Sequence, residues 1–399
     1  MRFRDRPSQS GRERTGDAAH ACACLAQPPL RERFVLDETN IRRALELAER
    51  GRGLTSPNPV VGAVVVVDDV VVSEGWHAAL GEPHAESVAL AAAGERARGA
   101  TLFCSLEPCD HFGRTPPCTQ AIIDAGVSRV IVAMGDPNPA VDGRGVRRLR
   151  EAGIEVVVGV LEREARLANE TYVKHITTGV PFVTLKMAAT LDGRIAGADG
   201  SSTWVTGEES RAEVQRMRAA ADAILVGAGT AVTDDPRLTV RDPSYRGRPP
   251  VRVVVDASGR TPDSLRIFDG QAPVTIVTTD GSSQRTRDSW RAAGAEVIVC
   301  GRDDRGVALD ELLAALGKRD IQSLLVEGGS QIAGSFIGAS LVDKVVLFMA
   351  PKFLGGAEAP SVLAETGFTS LSQAASLDIS DVARVGEDIR VEAYVHRDS

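Results

Sequence analysis

The chain has 399 residues, more than one hydrophobic core organises, so two α/β domains are expected. Hydrophobic residues make up 43% and charged residues 25%, a globular balance, and no apolar run reaches the roughly 20 residues of a transmembrane helix. A net charge of −8 leaves no strongly basic surface, so the expected substrate is a small molecule, with no nucleic acid and no membrane as partner.

Residues 1–33 mix Arg, Asp, Glu, Ser and Gly without apolar periodicity and read as a disordered N-terminal tail. Cys22 and Cys24 in that tail lack partner ligands and are given no role; six unevenly spread cysteines fit a reducing, cytoplasmic setting better than a disulfide framework. Ile41, Ala44, Leu45 and Ala48 predict a helix over Glu38–Arg50. Strands are expected at Val60–Val67, Val70–Glu74, Thr101–Leu106, Arg129–Met134 and Glu155–Val160, with helices at His84–Ala93, near Cys118 and at Gly145–Glu151. Leu161–Lys174 reads as one further helix before a turn-prone junction, which divides the chain into units 34–178 and 179–399. The second unit repeats the alternation, with strands at Phe182–Leu185, Ala223–Val226, Val251–Val255, Val274–Val277, Glu296–Val299, Leu324–Val326 and Lys344–Met349.

The first unit carries a candidate metal constellation: Pro83-His84-Ala85-Glu86 at one helix start, Pro108-Cys109 after a strand, and Pro117-Cys118 at the next helix start. A catalytic zinc takes three nitrogen or sulfur ligands and keeps a fourth position for water; His84, Cys109 and Cys118 supply three. Glu86 is placed to carry the proton from that water to a leaving amine, the arrangement of zinc deaminases. Eight residues separate the two cysteines, where base and nucleoside deaminases commonly have two, so a different substrate is expected. Cys104, within a strand, reads as a small core residue, and a purely structural zinc site is the competing reading.

Pro57-Asn58-Pro59-Val60-Val61-Gly62, Gly81-Glu82-Pro83-His84-Ala85-Glu86, Leu106-Glu107-Pro108-Cys109 and Thr115-Pro116-Pro117-Cys118 together resemble the bifunctional riboflavin biosynthesis deaminase-reductase family. The resemblance implies a cytidine-deaminase-like three-layer domain, one Zn²⁺ per chain, and Asn58, His77, His111 and Arg114 around a phosphoribosylaminopyrimidine, whose phosphate a cation such as Arg114 suits. It further implies hydrolytic deamination of 2,5-diamino-6-(5-phosphoribosylamino)pyrimidin-4-one.

In the second unit, Gly227-Ala228-Gly229-Thr230 and Glu327-Gly328-Gly329-Ser330 each follow a strand. Glycines there admit a phosphate, but neither segment is a full dinucleotide fingerprint, and spacing alone leaves the choice between cofactor site and simple turn open. Lys186-Met187-Ala188-Ala189-Thr190-Leu191-Asp192-Gly193-Arg194, Thr230 to Asp234-Asp235-Pro236, and Glu327-Gly328-Gly329 resemble the reductase half of the same family, which is similar to dihydrofolate reductase. The resemblance implies NADPH at Ala188, Trp204, Thr230, Asp234, Gly329 and Ser330, substrate at Ser202, Arg218, Leu238, Arg241 and Glu327, and reduction of a ribosyl to a ribityl chain. Arg218 and Arg241 are the cations expected for the phosphate, and Asp192 is expected only to shape a turn. A homo-oligomer is left open. The competing readings are a nucleoside or RNA deaminase with a C-terminal binding module, and a non-enzymatic pair of ligand-binding domains.

Overall fold

The computed structural model describes residues 30–111, 116–139, 141–201 and 205–396, with side chains from residue 34. The first unit runs α1 (Leu30–Glu49), β1 (Gly62–Val67), β2 (Val70–Trp76), α2 (Ala85–Ala93), β3 (Thr101–Cys104), α3 (Cys118–Asp124), β4 (Arg129–Val132), α4 (Arg144–Glu151), β5 (Glu155–Val158), α5 (Glu162–Ala168) and α6 (Glu170–Thr178). Its five strands are ordered β2-β1-β3-β4-β5; β1 is antiparallel to both neighbours and β3, β4 and β5 are parallel.

Alternation along these strands builds two cores, one per face. Ala63, Val65, Leu102, Cys104, Val130 and Val132 pack with Ala85, Ala89, Ile122 and Leu149 of α2, α3 and α4. Val64, Val66, Phe103 and Ile131 face the other way, onto Ile41, Ala44 and Leu47 of α1 and Ala165 of α5. The result is a three-layer α/β/α unit, and Cys104 is the core residue its strand position suggests.

Two helical expectations change. The first helix starts at Leu30 and not at Glu38, so it takes in residues 30–33 of the expected tail, and residues 1–29 lie outside the described residues. The single helix expected over Leu161–Lys174 is two, broken at Asn169. Asn169 is buried, and its amide accepts from the Val60 N–H (2.9 Å) and donates to the Val60 carbonyl (3.0 Å), a strand-like pairing that its own helix would not provide.

The second unit runs β6 (Phe182–Thr190), α7 (Glu208–Ala220), β7 (Ala223–Gly227), α8 (Ala228–Asp234), β8 (Val251–Val255), β9 (Val274–Thr278), α9 (Gln284–Ala292), β10 (Glu296–Val299), β11 (Arg302–Asp303), β12 (Gly306–Val307), α10 (Leu309–Gly317), β13 (Ser323–Val326), α11 (Ser330–Gly338), β14 (Lys344–Ala350), β15 (Leu377–Val385) and β16 (Asp388–Val395). Its nine-stranded sheet is ordered β10-β9-β8-β7-β13-β6-β14-β16-β15, parallel from β10 to β14 and antiparallel beyond. The antiparallel pair β15 and β16 is absent from the sequence expectation. β15 is exposed along most of its length, so it lacks the half-buried alternation that marks a strand.

From β7 the chain moves outward to β10, returns to β13 and continues on the other side to β14. The crevice at the carboxyl ends of β7 and β13 is therefore a topological switch point, where open α/β sheets bind ligands. Among the described residues no helix is long and apolar enough to cross a membrane.

Candidate active sites

At the end of β3 the chain turns through Glu107-Pro108-Cys109, and the N-terminal ends of α2 and α3 converge on that turn. His84 is the residue before α2, and Cys118 is the first residue of α3. Their ligand atoms and the Cys109 sulfur lie within 4.8 Å of one another, a group that could hold a metal ion. His84 Nδ1 is 3.1 Å from Cys118 Sγ and 3.5 Å from Cys109 Sγ, and the Cys118 N–H points to Cys109 Sγ at 3.4 Å. One imidazole nitrogen and two sulfurs, partly buried, form a soft donor set that fits zinc with one position left for a fourth ligand.

The local electrostatics suit that use. Hydrogen bonding from the Cys118 thiol, and then from His84, pulls the Cys109 thiol well below its ordinary value, which favours the thiolate form that ligates a metal. Glu86 lies on the first turn of α2 and is buried; desolvation first, and the Cys109 charge second, push its carboxyl up to about 7. A carboxyl balanced between its two forms near neutrality suits a group that takes and returns a proton.

The expected substrate residues divide. His77 is buried, and its Nδ1 donates to the Pro83 carbonyl (3.2 Å), because a carbonyl only accepts. Nε2 is therefore the acceptor, and Asn58 Nδ2 donates to it at 3.1 Å. This orients the Asn58 amide and leaves its oxygen for another donor. His111 is exposed on the loop after Asp110, and Arg114 lies outside the described residues.

Glu107 has a role that reading the motif alone does not reveal. It is buried, and its carboxylate accepts from the backbone N–H groups of Asp136 (3.3 Å), Gly143 (3.2 Å) and Val146 (3.2 Å). It thus caps α4 from a distance and ties the Cys109 turn to it. A Cβ at Gly145 would stand 2.0 Å from the Pro108 carbonyl oxygen, so α4 can approach this turn only with glycine there.

In the second unit, the turns after β7 and β13 meet: the Gly329 N–H donates to Thr230 Oγ1 at 3.1 Å. A Cβ at Gly229 would meet nothing within 4 Å, so open space lies beside this turn, and Gly329-Ser330 opens α11. Helix N-termini and bare glycine backbone at a switch point fit the phosphates of a nucleotide. Ala188 lies in β6 beside Phe348 of β14, and Asp234 closes α8. Ser202 and Trp204 lie outside the described residues.

Glu327 follows β13 and receives a two-pronged pair from Arg218 of α7 (Nε–Oε1 2.6 Å, Nη2–Oε2 2.9 Å), with Lys186 Nζ 3.9 Å from Oε2. Of the two arginines expected to offer a cation to a phosphate, Arg218 therefore has its fork filled by Glu327, and Arg241 is the exposed one. Leu238 is buried in the core, with its backbone in the left-handed region at φ 50. Asp192 shapes a turn as expected, accepting from Thr190 Oγ1 (2.5 Å), Leu354 N (3.1 Å) and Gly355 N (2.7 Å). Lys186 is a participant that sequence reasoning left within a longer motif.

Residues 35–134 match the family described as the cytidine and deoxycytidylate deaminase zinc-binding region, and residues 181–391 match the RibD C-terminal domain. Over 359 residues the chain is 42% identical to the riboflavin biosynthesis protein RibD of Bacillus amyloliquefaciens, covering 90% of this chain and 96% of that protein. The chain belongs to the RibD family of riboflavin biosynthesis proteins. The RibD of Aquifex aeolicus is 43% identical, with 89% of this chain and 97% of that protein covered. Acinetobacter baumannii RibD superposes with a TM-score of 0.81 at 37% identity, and the Thermotoga maritima diaminohydroxyphosphoribosylaminopyrimidine deaminase/5-amino-6-(5-phosphoribosylamino)uracil reductase with 0.80 at 38%, each covering 91% of this chain and 100% of the other. Like its relatives, this RibD-family chain is a bifunctional enzyme with a deaminase unit followed by a reductase unit.

Proposed function

We propose that the first unit, residues 34–178, hydrolyses the ring amine of 2,5-diamino-6-(5-phosphoribosylamino)pyrimidin-4-one, and that the second, residues 179–399, reduces the deaminated product's ribosyl group to ribityl. His84, Cys109 and Cys118 would hold zinc, which when bound supplies the Lewis acidity that makes water a nucleophile at neutral pH. Glu86 takes the proton of that water and returns it to the departing amine, so water enters and ammonia leaves. Asn58, oriented by His77, accepts from or donates to the pyrimidine edge, His111 would line the same site, and Arg114 would supply the cation for the ribosyl phosphate. The observation that carries the reading is the buried Glu86 beside a three-donor soft group of His84, Cys109 and Cys118.

For the reductase step, NADPH, when bound, supplies the hydride. Ala188, Trp204, Thr230, Asp234, Gly329 and Ser330 would hold it, and Ser202, Leu238, Arg241 and Glu327 would hold the substrate. Arg218 keeps Glu327 ionised and fixed, and Arg241 takes the phosphate. The enzyme's location is taken as cytoplasmic, the setting that six unevenly spread cysteines fit.

The test supplies the aminopyrimidine to zinc-loaded enzyme with and without NADPH while ammonia and nicotinamide absorbance are followed. Ammonia should appear in both arms and NADPH oxidation should follow it. No ammonia in either arm would overturn the deaminase assignment, and ammonia without NADPH oxidation would overturn the reductase one.

A further inference from the structure

Residues 51–59, the loop that carries Asn58, lie against the second unit. Gly53, at φ 76, approaches α7 so closely that a Cβ would stand 2.1 Å from the Ala219 carbonyl oxygen. Arg248 Nη2 donates to the Ser56 carbonyl at 3.0 Å, and Gln322 Nε2 donates to the Pro57 carbonyl at 2.7 Å.

Gln322 is itself immobilised. It is buried just before β13; its N–H donates to Asp222 Oδ2 (3.0 Å) and its carbonyl accepts from Phe182 N (2.7 Å). The same Asp222 oxygen accepts from the N–H and hydroxyl of Ser323 (3.0 and 2.9 Å). With its backbone held on both sides and its side chain buried, Gln322 delivers Nε2 from a fixed point of the second unit.

The group it grips decides the consequence. The Pro57 carbonyl and the Asn58 N–H belong to one peptide plane, and the Asn58 N–H donates to the Thr55 carbonyl at 2.9 Å. Held at its oxygen by Gln322 and at its nitrogen by Thr55, this plane sets the direction in which the Asn58 side chain leaves the backbone. His77 then fixes the rotation of the Asn58 amide.

We propose that Gln322, a residue of the reductase unit, is a positioning residue for deamination, acting through the Pro57–Asn58 peptide. The proposal rests on the reading of Asn58 as a pyrimidine contact. The two units are also joined elsewhere, by Lys174 with Asp343 and by Glu170 with Lys344 (3.4 Å) and Tyr394 (2.5 Å). Loss of the Gln322 bond therefore releases the Pro57 carbonyl without parting the units.

The test uses the full-length, zinc-loaded enzyme and the variants Gln322→Met, which keeps the volume and removes the donor, Arg248→Met, which loosens the same loop from an exposed position, and Asn58→Ala. For Gln322→Met the deamination kcat/KM should fall on the order of tenfold, chiefly through KM, because small displacements of a positioning group carry costs of this size. Zinc content and the reductase kcat/KM for the already deaminated compound should stay at wild-type values. Arg248→Met should move KM in the same direction by less, and it decides the matter if Gln322→Met does not fold. The Gln322→Met, Asn58→Ala double variant should be no worse than Asn58→Ala. If Asn58→Ala impairs deamination while Gln322→Met and Arg248→Met are silent, or if the two losses multiply, this proposal alone is overturned. If Asn58→Ala is itself silent, the reading of Asn58 falls and the proposal with it.

Discussion

Arg218 and Glu327, 109 residues apart in the chain, meet in a two-pronged pair at 2.6 and 2.9 Å at the carboxyl end of β13, and both side chains are nearly excluded from solvent. Burial alone would raise the Glu327 carboxyl, but the Arg218 charge, its hydrogen bonds and Lys186 outweigh it and hold the group below its ordinary value. Glu327→Gln would leave two buried cations facing a neutral amide, at a cost of about 3–5 kcal/mol. Urea unfolding should show that loss at neutral pH. Because the folded-state pKa is depressed, the pair's contribution is complete above the unfolded-state value near 4.5 and is lost as pH falls through the lower folded-state value. The stability gap between wild type and Glu327→Gln should therefore narrow below about pH 4.5, and a gap unchanged by acid would contradict the assignment.

Arg241 is exposed, close enough to Glu327 to lower its pKa, and not committed to the pair that occupies Arg218. If it takes the ribosyl phosphate, Arg241→Ala should raise the reductase KM for the phosphorylated compound by roughly tenfold, the loss of one charge-assisted contact. The same substitution should leave KM for the dephosphorylated compound unchanged. Equal losses on both compounds would assign Arg241 a role other than phosphate recognition.

What the sequence makes legible here is local. His84, Cys109 and Cys118 stand at element boundaries with proline or a helix start beside them, so their type and order are enough to bring them to mind. Glu107 and Asn169 are not legible in the same way, because each answers backbone groups that reach it only after folding: three N–H groups from residues 136–146 for one, Val60 for the other. Arg218 shows the limit most plainly. Its charge invites a phosphate, and only the fold reveals that Glu327 already fills its guanidinium fork. The α/β alternation was readable because the strands that build the cores are buried, whereas β15, exposed on both faces, carries no such pattern.

The metal group should be separable from the reductase chemistry. Chelation strips the metal, and Cys109→Ser removes a soft donor from a three-membered set that has no fourth protein ligand among the described residues. Zinc content and ammonia release should fall together. Oxidation of NADPH with the already deaminated compound should persist, because the switch-point crevice shares no residue with the metal group. Parallel loss of both activities would mean that the metal organises the whole chain and not one site.

Glu86 allows the proton function to be tested apart from the metal. Its side chain is buried beside Cys109 and Cys118 on the first turn of α2, but it is not one of the three grouped donors. Glu86→Gln keeps the size and the ability to hydrogen-bond while abolishing proton transfer, so deamination should fall by about 10² to 10⁴-fold, the range for loss of a general acid-base group. Zinc content should stay at the wild-type value, and the thermal midpoint should not fall, since a neutral amide escapes the desolvation that burdens the carboxylate. Loss of zinc in this variant would make Glu86 a part of the metal set, and retained ammonia release would assign the proton transfer to a different group.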